Sequence, residues 1–198
     1  MKKMTCPLLL MCIFLITKKT KSQNVSYSDL NSRNILGNFN TAFGRLSLGS
    51  NLLTGNENTA LGWLVLNSNT SGKYNTGVGT NSLLSNTTGE NNTTIGAYSL
   101  YTNNTGGSNT AIGYSALRIN QSGNSNTAIG QSALFQNLTS ENTAIGCSTL
   151  YNNTTGRYNT AMGKEALFSN KTASANGTGD TAPIPPVFNP VSPSPIRL

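Results

Sequence analysis

Apolar positions in this chain are sparse and regularly placed. From residue 40 onward the order is Asn-Thr, alanine, one larger apolar residue and glycine, then three variable positions, a leucine, two more positions and an asparagine. A Ser/Thr-Gly turn closes most units, and Asn-Thr returns at 58, 75, 92, 109, 126, 142 and 159. The spacing is 17 residues in most intervals, with one of 18 and one of 16. Repetition at a short fixed period is the mark of stacked repeats, and compositional bias alone does not hold five columns in register.

The unit opening at 109 places its recurring residues at Asn109, Thr110, Ile112, Gly113, Leu117 and Asn120. Their counterparts are Asn126, Thr127, Ile129, Gly130, Leu134 and Asn137, and then Asn142, Thr143, Ile145, Gly146, Leu150 and Asn153. Seventeen residues hold two strands of about four residues and two turns, whereas helical repeats need about 33 to 47. The spacing therefore predicts an all-β chain, a parallel β-roll or solenoid of about eight coils over 40–175, with 23–39 as a degenerate first unit or cap.

Alternation along a strand puts threonine and the fourth, apolar residue on one face and alanine on the other. The fourth and ninth residues are expected to fill the interior, leaving the alanines for close approach to a neighbouring surface. Stacked about 4.8 Å apart, each recurring asparagine meets its equivalent in the next coil, and its amide both donates and accepts. The fifth-position glycines supply positive φ at the corners. Such a coil buries little apolar surface for the backbone it orders, so association between chains is expected.

Composition narrows the chemistry. The 198 residues are 36% hydrophobic and 10% charged, against about 45–50% and about 25% in an ordinary soluble domain. Histidine is absent, which removes the usual proton carrier near neutral pH and the commonest metal ligand. Asp29, Glu57, Glu90, Glu141, Glu165 and Asp180 are the only acids. Glu57, Glu90 and Glu141 fall in the turns between repeats rather than at paired positions, and no aspartate recurs as a calcium roll requires. Cys147, at the variable sixth position, is the lone thiol outside the first 22 residues. No catalytic residue, cofactor or metal ligand is expected.

The net charge of +7 comes mostly from the first 22 residues, which hold five of the thirteen basic side chains. The remaining eight face six acids, a net of +2, which gives no reason to expect a nucleic-acid partner. Lys2 and Lys3 precede the apolar run from Cys6 to Ile16, too short to span a bilayer of about 30 Å. This is the layout of a signal peptide over 1–22, predicting an exported chain with no direct membrane insertion of its mature part. Six prolines fall between Pro183 and Pro195. They predict an extended or disordered tail within 176–198.

The runs NTAIG at 109–113, 126–130 and 142–146, with GYSAL at 113–117, resemble the head repeats of YadA-like trimeric autotransporter adhesins. Similar arrays occur in bacteriophage tail fibres. The resemblance covers about residues 40–172. It implies a left-handed parallel β-roll, a homotrimer of side-by-side chains, and a head that binds host or matrix proteins or glycans at the cell surface, in association with an outer membrane. The unit here is longer than the usual head repeat. The sequence also shows neither a heptad stalk nor a C-terminal membrane barrel, so the family's anchoring is not carried over.

These features favour a secreted or surface-displayed adhesin-like rod. A passive spacer and a tail-fibre shaft are the alternatives, the latter opposed by the leader. An ice-binding solenoid is a further reading, based on the column from Thr41 to Thr160, although ladder or turn roles suit those threonines better. The tenth-position aromatics Tyr101, Phe135, Tyr151 and Phe168 form a candidate contact stripe, with packing against a neighbouring chain or turn as the plainer role.

Overall fold

The computed structural model of the chain describes residues 25–27, 39–50, 52–172 and 176–178. Every unit contributes one three-residue strand. They are β1 (Val25–Tyr27), β2 (Thr41–Phe43), β3 (Thr59–Leu61), β4 (Thr76–Val78), β5 (Thr93–Ile95), β6 (Thr110–Ile112), β7 (Thr127–Ile129), β8 (Thr143–Ile145), β9 (Thr160–Met162) and β10 (Asn176–Thr178). All ten form a single sheet in chain order. Pairing is parallel and in repeat register, as in Thr110↔Thr127, Ala111↔Ala128 and Ile112↔Ile129. The protein is an all-β solenoid, and the eight coils opening at Asn40 to Asn159 make a rod of roughly 38 Å at about 4.8 Å per rung.

Two sequence expectations need correction here. A second strand per coil does not form: the segment ending at the ninth-position leucine is a succession of turns. Rung-to-rung backbone bonds nevertheless continue through it, for example Leu117 N to Ala133 O at 2.9 Å and Ile119 N to Phe135 O at 2.9 Å. The expected tail boundary at 176 also moves, because Asn176–Thr178 is β10, paired with β9. The proposed leader at 1–22 and the proline-rich segment lie outside the described residues.

The segment ending at each leucine turns because two of its columns adopt left-handed backbone, and a third column does so at the junction between coils. The seventh and ninth residues and the one preceding Asn-Thr have φ between 47 and 65° in every coil. That region is costly for side chains branched at Cβ, and none of these columns contains Val, Ile or Thr. The ninth column is leucine throughout: γ-branching gives the needed bulk and leaves Cβ unbranched.

Glycine at the fifth position answers two demands at once. Gly113 has φ 129°, outside the range open to L side chains. A Cβ built there would also lie 2.6 Å from the carbonyl carbon of Gly130 in the next coil. The same stacking recurs from Gly44 to Gly146, so this column sets how closely rungs approach.

The interior is narrow and half polar. The ninth-position leucines from Leu48 to Leu150 are buried, joined by the third-position alanines and the small eighth-position residues Ser47, Val65, Ser82, Ser99, Ala116, Ala133, Thr149 and Ala166. Where the third position is Gly77, the coil before it carries the larger Val65, whose Cγ1 would stand 2.5 Å from an added Cβ. Where it is Thr94, the neighbours are Ser82 and Ser99, and the Thr94 hydroxyl pairs with Ser82 at 2.5 Å. Leu53, which belongs to no recurring column, is fully buried within the 18-residue unit.

The expectation that the fourth residue fills the interior is overturned. Phe43, Leu61, Ile95, Ile129 and Met162 are exposed, Val78, Ile112 and Ile145 half-buried, while Ala60, Ala111, Ala128 and Ala144 are inaccessible. The alternation is as expected, but its sense is reversed. Leucine and two asparagines already occupy each coil's cross-section, which leaves room beneath the strand only for Ala, Gly or Thr.

Candidate interaction surface

Two asparagine ladders run inside the rod. Asn109 donates from its backbone N and from Nδ2 to Oδ1 of Asn92, each at 3.0 Å, and from Nδ2 to the Gly123 carbonyl at 2.9 Å. Its own Oδ1 accepts from N and Nδ2 of Asn126 at 3.0 and 3.1 Å. The twelfth-position ladder links Asn86 to Asn69, Asn103 to Asn86 and Asn120 to Asn103 at 2.8, 2.7 and 3.2 Å. Asn137 donates to Asn120 at 3.4 Å and Asn153 to Asn137 at 2.9 Å. The carbonyls of Gly72, Gly89, Gly106, Gly123 and Gly156 at the closing turns accept from both ladders, as Gly123 does from Asn109 and Asn120. These amides are buried and mutually satisfied, so they define register and offer little to an outside ligand.

The 16-residue unit preserves this scheme by substitution. Thr139 stands where the other turns have glycine, and its carbonyl accepts from Asn126 and Asn137 at 2.7 Å each. Its hydroxyl reaches the Gly156 carbonyl at 2.6 Å. Asn142 gains Nδ2 bonds to Asn137 Oδ1 and Thr139 Oγ1, both at 3.2 Å.

What the rod does present is the outer face of the sheet. Thr110, Thr127 and Thr143 stand in register on it beside Ile112, Ile129 and Ile145. The second-position threonine hydroxyls make no hydrogen bond among the described residues, so they belong to neither ladder nor turn. A continuous apolar column, from Phe43 to Met162, with a hydroxyl column beside it over eight rungs, is an amphipathic strip. An apolar column on a sheet's outer face is a candidate contact surface.

A second strip follows the tenth position. Phe135 stacks on Tyr151 at 4.8 Å between centroids, and Tyr151 on Phe168 at 5.0 Å. Arg118, in the same column, continues the stack: its guanidinium lies 5.8 Å from the Phe135 ring, 5.6 Å from Tyr101 and 5.2 Å from Tyr98. The rings thus pack on one another within the chain, as parallel stacking at the rung spacing requires.

Beside this stack is a shallow groove of about 540 Å³, lined by Ser68, Ser85, Thr87, Thr102, Asn104, Thr105, Gln121 and Ser122. These are eleventh-, thirteenth- and fourteenth-position residues on four consecutive rungs. Thr87 and Thr102 bond to backbone carbonyls of the next rung. The side chains of Ser68, Ser85, Thr105, Gln121 and Ser122 form no hydrogen bond among the described residues.

The remaining sequence candidates are separated by the fold. Cys147 is half-buried and unpaired, with its Sγ 3.8 Å from Ser148 Oγ. Glu141 meets Tyr158: a hydrogen bond to the carboxylate, with its charge, raises the phenol above its ordinary pKa. Among the described residues no acids, cysteines or histidines cluster as metal ligands, and no helix is long and apolar enough to cross a membrane. The chain matches no protein-family model, no curated protein and no solved structure.

Proposed function

We propose that this chain is an adhesin-like rod, exported and displayed at a cell surface, that attaches to host, matrix or neighbouring-cell surfaces by contact along its length. In this reading it is a left-handed β-roll that associates as a homotrimer, as the resemblance of its NTAIG units to YadA-like heads implies. The observation that carries the proposal is the outer sheet face, where an apolar column runs over eight in-register rungs, five of its residues exposed and three half-buried. Burying that column between chains removes it from water and supplies the apolar area that a thin coil lacks. The aromatic strip and the polar groove stay on the outside of such a bundle, repeated on every chain, and repetition converts weak contacts into avidity.

Two measurements test it with the full chain. Light scattering after size-exclusion should give a trimer for the wild type, and Ile129→Lys should dissociate it while changing coil stability by under about 0.5 kcal/mol, as for most surface substitutions. Binding to immobilised matrix proteins and glycans should exceed that of a chain with scrambled repeats; binding no better would leave the rod a passive spacer. The free hydroxyl column favours one second reading, ice binding by the same face. Thermal hysteresis in the monomeric Ile129→Lys variant or the wild type would support it, and freezing-point behaviour of a simple solute would dismiss it.

A further inference from the structure

We infer that the groove beside Arg118 binds an acidic oligosaccharide, with Arg118 taking a carboxylate or sulfate group and the groove side chains taking the sugar hydroxyls. The inference deepens the attachment reading above and rests on it for its biological meaning.

Arg118 supplies the positive charge. Among the described residues it has no carboxylate partner: the only ion pair there joins Lys164 to Glu165. Its guanidinium is nevertheless held in place by the rings of Tyr98, Tyr101 and Phe135. Three rings within 6 Å of its Cζ restrict the side chain, which lowers the entropy lost on binding, and a guanidinium's N–H groups suit a bidentate contact with a planar anion.

The groove supplies the hydroxyl and amide groups. It adjoins Arg118 through the backbone: N and Oγ1 of Thr102 both donate to the Arg118 carbonyl at 3.0 Å. Gln121 and Ser122 follow on the same coil as Arg118. The lining is entirely uncharged and rich in hydroxyl and amide groups, and the side chains of Ser85, Thr105 and Gln121 have no hydrogen-bond partner among the described residues. Its volume lies within the range of about 300–1,000 Å³ usual for small-ligand sites. A sugar offers these side chains both donors and acceptors, which an apolar ligand does not. The groove crosses successive rungs about 4.8 Å apart, close to the length of one pyranose ring, so a linear oligosaccharide along the rod meets equivalent groups at each unit.

The test is calorimetry or glycan-array binding of the full-length protein to three hexasaccharide probes: one sulfated, from heparin, one carboxylated, from hyaluronan, and one neutral, from cellulose. The wild type should bind at least one acidic probe at least tenfold more tightly than the neutral one, with affinity falling as salt rises. The sulfated and carboxylated arms identify which acid is preferred. Arg118→Gln should remove that preference, and Ser85→Trp, which fills the groove and leaves the charge alone, should weaken binding at least tenfold. Unchanged circular dichroism in both variants separates these effects from misfolding. Equal binding of the neutral and acidic probes, or unchanged acidic binding in both folded variants, would overturn the inference. If the wild type still adheres to the matrix panel in that case, the attachment reading stands without it; if the wild type binds nothing at all, both fall.

Discussion

Asn109→Asp tests the ladder on which the rod depends. The substitution preserves shape and keeps the oxygen that accepts from N and Nδ2 of Asn126. It replaces Nδ2 by an oxygen facing Asn92 Oδ1 at 3.0 Å and the Gly123 carbonyl at 2.9 Å. At pH 7 the result is an unpaired negative charge, in a residue 1% exposed, aimed at two acceptors. Leaving such a charge buried costs about 3–5 kcal/mol. Protonation removes the charge and restores one donor, so at low pH the loss shrinks to the roughly 1–3 kcal/mol of an imperfectly satisfied site.

The sign of the pH dependence follows. Burial without a cation raises the introduced carboxyl's folded pKa above its unfolded value of about 3.9. Between the two values the folded state holds the extra proton, so stability is greatest below the unfolded pKa and falls as pH rises through the folded one. Because solenoids open rung by rung, the assay pairs urea unfolding with amide hydrogen exchange at Asn126 and Thr127, at pH 4 and pH 7. The variant should lose less stability relative to wild type at pH 4 than at pH 7. A wild-type-like midpoint at pH 7, or a deficit that does not shrink on acidification, would refute the buried-ladder argument.

Other substitutions address the packing columns. Gly113→Ala meets both a forbidden φ and the Gly130 backbone, and should cost at least about 2–4 kcal/mol in urea midpoint analysis. Leu117→Ile conserves volume but puts a β-branch at φ 51°; it should be at least about 1 kcal/mol worse than Leu117→Met, which lacks the branch. Gly77→Ala alone should be destabilising by about 1–3 kcal/mol against Val65, yet neutral or better in the Val65→Ala background, because Ala116 and Ala128 form that same pair natively. A double-mutant cycle with coupling below about 0.5 kcal/mol would show that the two residues do not share one packing site.

Much of the architecture is readable from residue order, and the reasons are specific. Asn109, Asn126 and Asn142 recur because each amide serves the rung on either side. Leucine recurs at Leu117, Leu134 and Leu150 because the site needs bulk in a left-handed backbone. That second reason carries a signal in the sequence itself, the absence of Val, Ile and Thr from three columns, which points to turns where a second strand is otherwise expected. Leu53, Arg118 and the polar groove carry no comparable signal. Leu53 is buried by an insertion that breaks the period, while Arg118 gains its ring partners and the groove its walls from residues about 17 apart in sequence that stacking makes adjacent.

The period, the parallel stacking and the identity of the ladder residues were determined by sequence alone, since a repeated hydrogen-bonding side chain has only its own copies to pair with along the axis. Which side of the strand faces inward was a matter for the tertiary structure. Hydrophobicity favours burying Ile112 over Ala111, but burial is limited by volume as well as by transfer free energy. A coil already holding one leucine and two asparagines has space for the methyl group and none for the larger chain, so the isoleucines stand on the outer face of the sheet.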